Sequence, residues 1–254
     1  MPNLFNSNTN TQGVIVYGGE SSSDYGMVVA EAPAYERPKR KQTIYNVPGR
    51  NGSIIYQQDA WEDVNRSYKV WLAEDVTDSL VEKVDSFEAW LNSQNGYVRL
   101  EDNFEPDVFR LAYYSGGDGF SNNLTQYGEA TINFTCRPER FLTSGETAVT
   151  VVTGDTITNP TKYISKPLIH ISASGKIRIA IFKGADGNEI TATVDDVLYI
   201  DCESMNAYRQ QNEYKNDKIS GSFPVIYSGT NTIGITTITG TLTSVKITPR
   251  YFTI

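Results

Sequence analysis

His170 is the only histidine in the 254 residues, so any mechanism that needs an imidazole must run through it. A Ser/His/Asp or Cys/His site would use it as the general base. It lies in Pro167-Leu-Ile-His-Ile171, where a period of two turns Ile169 and Ile171 to the opposite face. That is the setting of a structural histidine on one side of a strand, and no G-x-S-x-G accompanies it. Cys136 and Cys202 are far apart and neither belongs to a CxxC, so they predict half-buried thiols and no disulfide framework. One histidine and two separated cysteines cannot close a zinc site. Asp186-Gly-Asn188 and Asp195-Asp196 lack EF-hand spacing and read as hydrated turns. Gly13 and Gly18 have P-loop spacing, but Gly19 stands where the lysine is required. Glu101-Asp102 pairs two carboxylates, yet the separation that glycoside hydrolysis needs is a property of the folded chain. The sequons at Asn65, Asn123 and Asn133 matter only in a secreted protein. The expectation is a protein that is not an enzyme, with no catalytic, cofactor or metal residues and no ligand-binding residues assigned.

The totals narrow the class further. The length suits one large or two ordinary domains. Hydrophobic residues make up 39% and charged residues 20%, which suits a soluble globular chain. A net charge of −8 and a pI near 4.8 argue against stable nucleic-acid binding, which needs a basic surface. The one basic cluster, Arg37-Pro-Lys-Arg-Lys41, reads either as a guarded strand edge or as a docking strip for an acidic neighbour. The 16 tyrosines suit protein interfaces and sugar-binding grooves alike, and favour either over catalysis. Met1-Pro-Asn-Leu-Phe5 has no basic start or apolar core, and no run nears the roughly 18 apolar residues of a membrane span. A soluble protein made in a cytosol is expected.

The elements that would hold these residues fall into two sets. In the first, residues 14–17 and 27–30 predict short strands around the Gly18-Gly19 turn and a loop over 20–24. Residues 32–40, with Pro33 and Pro38, should be extended. Val47-Pro-Gly-Arg-Asn-Gly-Ser53 is a strong turn. Strands follow at 54–56 and 66–72, the second with Tyr68, Val70 and Leu72 on one face. The spacing of Leu80, Val84, Phe87 and Leu91 predicts a helix over 79–92, widened by Val81 and opened by a Ser79/Glu82 capping box. Residues 97–100 and 109–114 return as strands, the latter paired with 128–135 across the loop 115–119. One helix on a mostly antiparallel sheet is an α+β arrangement. Phe134-Thr-Cys-Arg-Pro-Glu-Arg-Phe-Leu142 closes this set, with Pro138 breaking the strand and Phe141 and Leu142 as an apolar plug. The expected division is therefore 1–140 and 141–254. Beyond Gly145 the period is two, with strands at 148–152, 167–171, 177–181, 190–194, 197–201, 223–227, 232–236 and 242–247, and a turn at Asp186-Gly187. Around eight to ten short strands with no helix predict an antiparallel β-sandwich. The chain as a whole is mainly β.

Phe134-x-Cys-x-Pro-Glu-x-Phe-Leu142, then Ser144-Gly-Glu146 and Ile157-Thr-Asn-Pro160, resembles the distal tail protein (Dit) of long-tailed phages with non-contractile tails, lactococcal phages above all. Pro167-Leu-Ile-His-Ile171, Asp201, Asn216, Lys218, Phe223-Pro224 and Gly229-x-Asn231 extend the likeness, and Val47-Pro-Gly-Arg-Asn-Gly52 matches the family's glycine turn. The resemblance implies a structural hub of the virion at the distal end of the tail, assembled in the host cytoplasm. It implies a hexameric ring whose N-terminal domains form a belt around a DNA-conducting channel, with galectin-like sandwiches outside. The implied partners are the tail tube protein, a tail-associated fibre or lysin protein, and baseplate or receptor-binding proteins. Specific nucleic-acid binding, a membrane and a cofactor are not implied. The alternative is a carbohydrate-binding sandwich for host cell-wall saccharide. No surplus length after Leu142 accommodates an added sugar-binding module, so direct sugar binding is not expected.

Overall fold

Alternation in the long strands builds the first core. Tyr68, Val70 and Leu72 turn inward from one strand, and Ala130, Ile132, Phe134 and Cys136 from its neighbour. A computed structural model of the chain describes residues 13–73, 80–119, 121–123, 127–210 and 213–254. The chain divides into two compact units, Met1–Arg140 with Ile254, and Phe141–Thr253.

The first unit holds β1 (Ile15–Tyr17), β2 (Glu20–Ser21), β3 (Met27–Val29), β4 (Arg40–Tyr45), β5 (Ile54–Trp61), β6 (Val64–Ala73), helix α1 (Leu80–Ser93), β7 (Val98–Asp102), β8 (Val108–Gly117), β9 (Ser121–Asn123) and most of β10 (Tyr127–Leu142). Its main sheet runs β2-β1-β7-β8-β10-β6-β3, with β9 on β10, while β4 and β5 form a sheet of their own. Pro138 does not end β10 as the sequence predicts. The ladder to β6 stops at Cys136 opposite Val64, so the missing N–H of Pro138 costs that ladder nothing. The segment expected as a loop over 20–24 is β2 followed by a turn of 3-10 helix, which Ser21 and Asp24 cap reciprocally.

Helix α1 buries Phe87, Trp90 and Leu91 and half-buries Val84. Val81, expected to widen the buried stripe, is instead 68% exposed. Trp90, three residues after Phe87, takes that role: its indole N–H donates to the Tyr17 carbonyl at 3.2 Å and its ring stacks on Tyr25 at 4.8 Å. Ser79, the capping residue read from the sequence, lies outside the described residues. No helix among the described residues is long and apolar enough to cross a membrane.

The second unit holds β11 (Val149–Val151), β12 (Thr156–Asn159), β13 (Leu168–Lys183), β14 (Asp186–Asp201), β15 (Asn206–Tyr208), β16 (Ile219–Gly221), β17 (Gly229–Thr248) and β18 (Phe252–Thr253). The order is β11-β17-β13-β14-β15, with β12 on β17 and β16 on β14. The short strands predicted in pairs are long strands that bend. Residues 168–173 of β13 lie beside the ends of β14 and β17, and residues 177–183 beside their beginnings. Ile169, Ile171, Ile177, Ile179 and Ile181 keep one parity through the bend, so one antiparallel sheet curls around one core. Gly175 and Gly240 face each other at the corner, flanked by register shifts in the β13–β17 ladder.

Two local expectations are corrected. The β13–β14 turn is Gly184-Ala185, because Lys183 pairs with Asp186, and Gly187 is in the ladder. A glycine at the first loop position with φ +62° meets the requirement of a type II′ turn. Residues 223–227 form no strand; Ile226 makes a single bridge to Ser165.

Candidate assembly surface

The residues singled out for chemistry are dispersed. His170 lies on β13, half-buried, its ring 4.7 Å from Tyr199, which stacks on Tyr208 at 5.4 Å and 11°. Burial, and then the charge of Lys246 opposite, hold its pKa below the ordinary 6.5. Glu101 and Asp102 alternate along β7 and do not converge: Glu101 is held by Arg99, while Asp102 is buried. Gly13 and Gly18 bracket strand β1, so no phosphate-binding loop lies between them. Asp186 and Asp195 lie in the β13–β14 ladder, and Asp196 at φ +79° pairs loosely with Arg209 at 3.5 Å. Among the described residues no cluster of His, Cys, Asp and Glu has the makings of a metal site.

Cys136 and Cys202 are both buried and free, more completely than the half-buried thiols read from the sequence. Burial pushes Cys136 up to about 11 and Cys202 up to about 12. The thiolate is the reactive form. Iodoacetamide at about pH 8 should therefore label neither thiol in the native protein and both in denaturant. Fast native labelling of either one would contradict this burial.

Polar side chains do gather inside the first unit, but as a brace. Arg66 donates to Asp102 Oδ2 at 2.7 Å and approaches Glu105 at 3.2 Å, and Arg110 and Arg140 both pair with Glu105. Tyr68 donates to Asp102 Oδ2 at 2.8 Å, and burial holds its hydroxyl well above the usual phenol range. Asp102 Oδ1 accepts from the backbone N–H groups of Phe104 and Glu105, each at 3.1 Å. Arg66, Asp102, Glu105 and Arg110 are each paired and hydrogen-bonded, as low dielectric requires. The arginines come from β6, β8 and β10, so this cluster ties the turn after β7 to three strands.

The surface that lacks an internal explanation is the β4–β5 hairpin. Ile44 pairs with Ile55 on one face; Tyr45 with Ile54 and Thr43 with Tyr56 lie on the other. Ile44, Tyr45, Ile54, Ile55 and Tyr56 are 43–63% exposed. A two-stranded hairpin alone is marginal in water, and apolar residues bare on both faces mark an interaction site. The loop over 46–53 is well built: Ser53 donates to Asn46 at 2.6 Å, Arg50 N–H to the Val47 carbonyl at 3.2 Å, and Gly49 and Gly52 take φ of +78° and +81°. At the root, Arg40 lies over the Trp61 ring at 4.9 Å. Sequence reasoning found the turn and the start of β5 but missed β4. The missed signal was Ile44-Tyr45 and Ile54-Ile-Tyr56 flanking the two glycine turns.

The described chain thus combines a helix-bearing antiparallel sheet, a separate two-stranded β4–β5 hairpin with exposed apolar residues, and a second, curled antiparallel sheet. The described chain has the fold of the distal tail protein: it superposes on Dit of phage SPP1, described as a paradigm of the hub adsorption apparatus in Gram-positive infecting phages, with a TM-score of 0.73. The match covers 96% of this chain and 100% of that one at 12% identity. A chain of the phage p2 baseplate, in its activated conformation with strontium, matches with a TM-score of 0.50 at 11% identity, over 93% of this chain and 97% of that one. No family model and no curated protein matches the sequence. At such identities it is the fold that is shared.

Proposed function

We propose that the chain is a structural hub at the distal end of a phage tail, where copies close into a ring of about six around a channel that conducts DNA. The observation that carries this is the β4–β5 arm, which the chain leaves bare on both faces. In this reading the first units form the belt and the sandwiches lie outside it. One face of the ring meets the tail tube, the other a tail-associated fibre or lysin protein, and the periphery carries baseplate or receptor-binding proteins. DNA passes without being recognised, since a chain of net charge −8 repels its phosphates. The role is scaffolding, and the hub catalyses nothing. Negative-stain images of the purified protein should show rings with a central hole; solitary particles at all concentrations would refute the reading.

The row His170, Tyr199 and Tyr208 favours a second reading, a saccharide platform. Sugars stack on open ring faces, whereas Tyr199 and Tyr208 turn their faces to each other. The hub reading therefore expects no retention on host cell-wall polysaccharide.

A further inference from the structure

We infer that the β4–β5 arm docks onto the outward face of helix α1 of a second copy, with opposite charge setting the match. This rests on the ring reading above and names the surface that each copy offers the next. Residues 37–61 hold five of the 22 basic side chains and one of the 30 acidic ones, so this segment is +4 and the remainder of the chain −12. The arm thus has the opposite sign to the body that bears it, and such a body is what another copy presents. An arm-to-body contact is heterologous, so repeating it head to tail closes a ring.

The part of the body is chosen where free carboxylates lie beside an exposed apolar residue, since several other acids of the first unit are already engaged. In the first unit Lys69 holds Glu31 at 2.6 Å, Arg99 holds Glu101, and the buried arginines hold Asp102 and Glu105. Helix α1 turns Asp85 and Glu88 to solvent, along the same face as Val81 and Ala89. Val81 is a large apolar helix residue left 68% exposed. This face therefore combines an apolar contact with two carboxylates. The arm combines an apolar outer half with the exposed Lys39 and Lys41 at its root. The lengths agree as well: the eight residues of β5 extend about 26 Å, and the fourteen of α1 about 21 Å.

A charge swap tests this on the full chain. Lys39→Glu with Lys41→Glu, and separately Asp85→Lys with Glu88→Lys, should each weaken the subunit contact about a hundredfold, because like charges then face each other. All four substitutions in one chain should regain the ring. Unchanged circular dichroism would show that each variant folds, since all four positions are exposed. Raising salt from about 0.05 M to about 1 M should weaken the wild-type contact in the same direction. A wild-type ring indifferent to the helix reversal, or a fourfold variant no better than its parents, overturns this docking and leaves the ring reading standing. A wild-type chain that never assembles overturns both.

Discussion

Glu105→Ala should destabilise the first unit by about 3–5 kcal/mol, the cost of breaking a buried ion pair from one side. Glu105 is the common partner of Arg66, Arg110 and Arg140, and its side chain is only 8% exposed. Removing it leaves Arg66 with Asp102 at 2.7 Å but takes from Arg110, itself 9% exposed, the counter-charge that makes its burial tolerable. Asp59→Ala is the internal control. It breaks the 3.8 Å pair with Arg40 at the surface and should change stability by no more than about 0.5 kcal/mol. Tryptophan fluorescence reads the first unit alone, because Trp61, Trp71 and Trp90 all lie there. A denaturant midpoint that moves equally for both variants would show that the cluster is not the brace described.

Gly240→Ala should have the largest effect in the second unit, at least about 3 kcal/mol, lowering its melting temperature on the order of 10–20 °C. A Cβ built at Gly240 stands 1.8 Å from the Ser174 carbonyl oxygen, and one at Gly175 stands 2.1 Å from that of Thr239. Both are backbone atoms of the facing strand, so no side chain can rotate away. Both residues also sit at positive φ, +82° and +129°. The corner at which β13 and β17 fold over depends on this close approach. Gly154 separates the two causes: it has φ +94° but nothing within 4 Å, so Gly154→Ala should cost only about 1 kcal/mol. The Gly240→Ala loss should appear in far-ultraviolet circular dichroism while the tryptophan transition stays in place. Equal losses for the two variants would mean that the conformational term dominates and the corner contact does not matter.

Four of the residues that carried the family resemblance, Asn159, Asp201, Asn216 and Asn231, clamp backbone groups, which explains why they were legible. Asn159 donates to the Tyr163 carbonyl at 2.8 Å and accepts from Thr161 N–H at 2.9 Å. Asn231 donates to the carbonyls of Tyr227 and Gly229 at 2.7 and 2.8 Å and accepts from Tyr227 N–H at 2.8 Å. Asn216 accepts from Ala207 N–H at 2.6 Å, and Asp201 from Glu203 N–H at 3.0 Å and from Arg250 at 2.7 Å. A side chain that stands in for backbone partners in a loop admits few substitutes, so such positions write a motif. The alternation of Tyr68, Val70 and Leu72 was legible because strand geometry is periodic. The brace was not, since residues 66, 102, 105, 110 and 140 meet only through the order of the sheet. Strand β4 was hidden by its own basic entry, where Arg37 to Lys41 with Pro38 reads as a guarded edge. The bends at Gly175 and Gly240 looked like the gaps between short strands, because a corner and a turn call for the same residue.

The claim that these copies are made to close on one another is tested most directly by the solution mass of the purified chain, taken beside that of a chain carrying Ile44→Asp and Ile55→Asp on the exposed arm. The expected result is a closed particle of about six chains that the paired substitutions reduce to the 28.3 kDa single chain, with the tryptophan unfolding transition unchanged. A native chain that stays at single-chain mass at every concentration, or a ring that tolerates both aspartates, would contradict it.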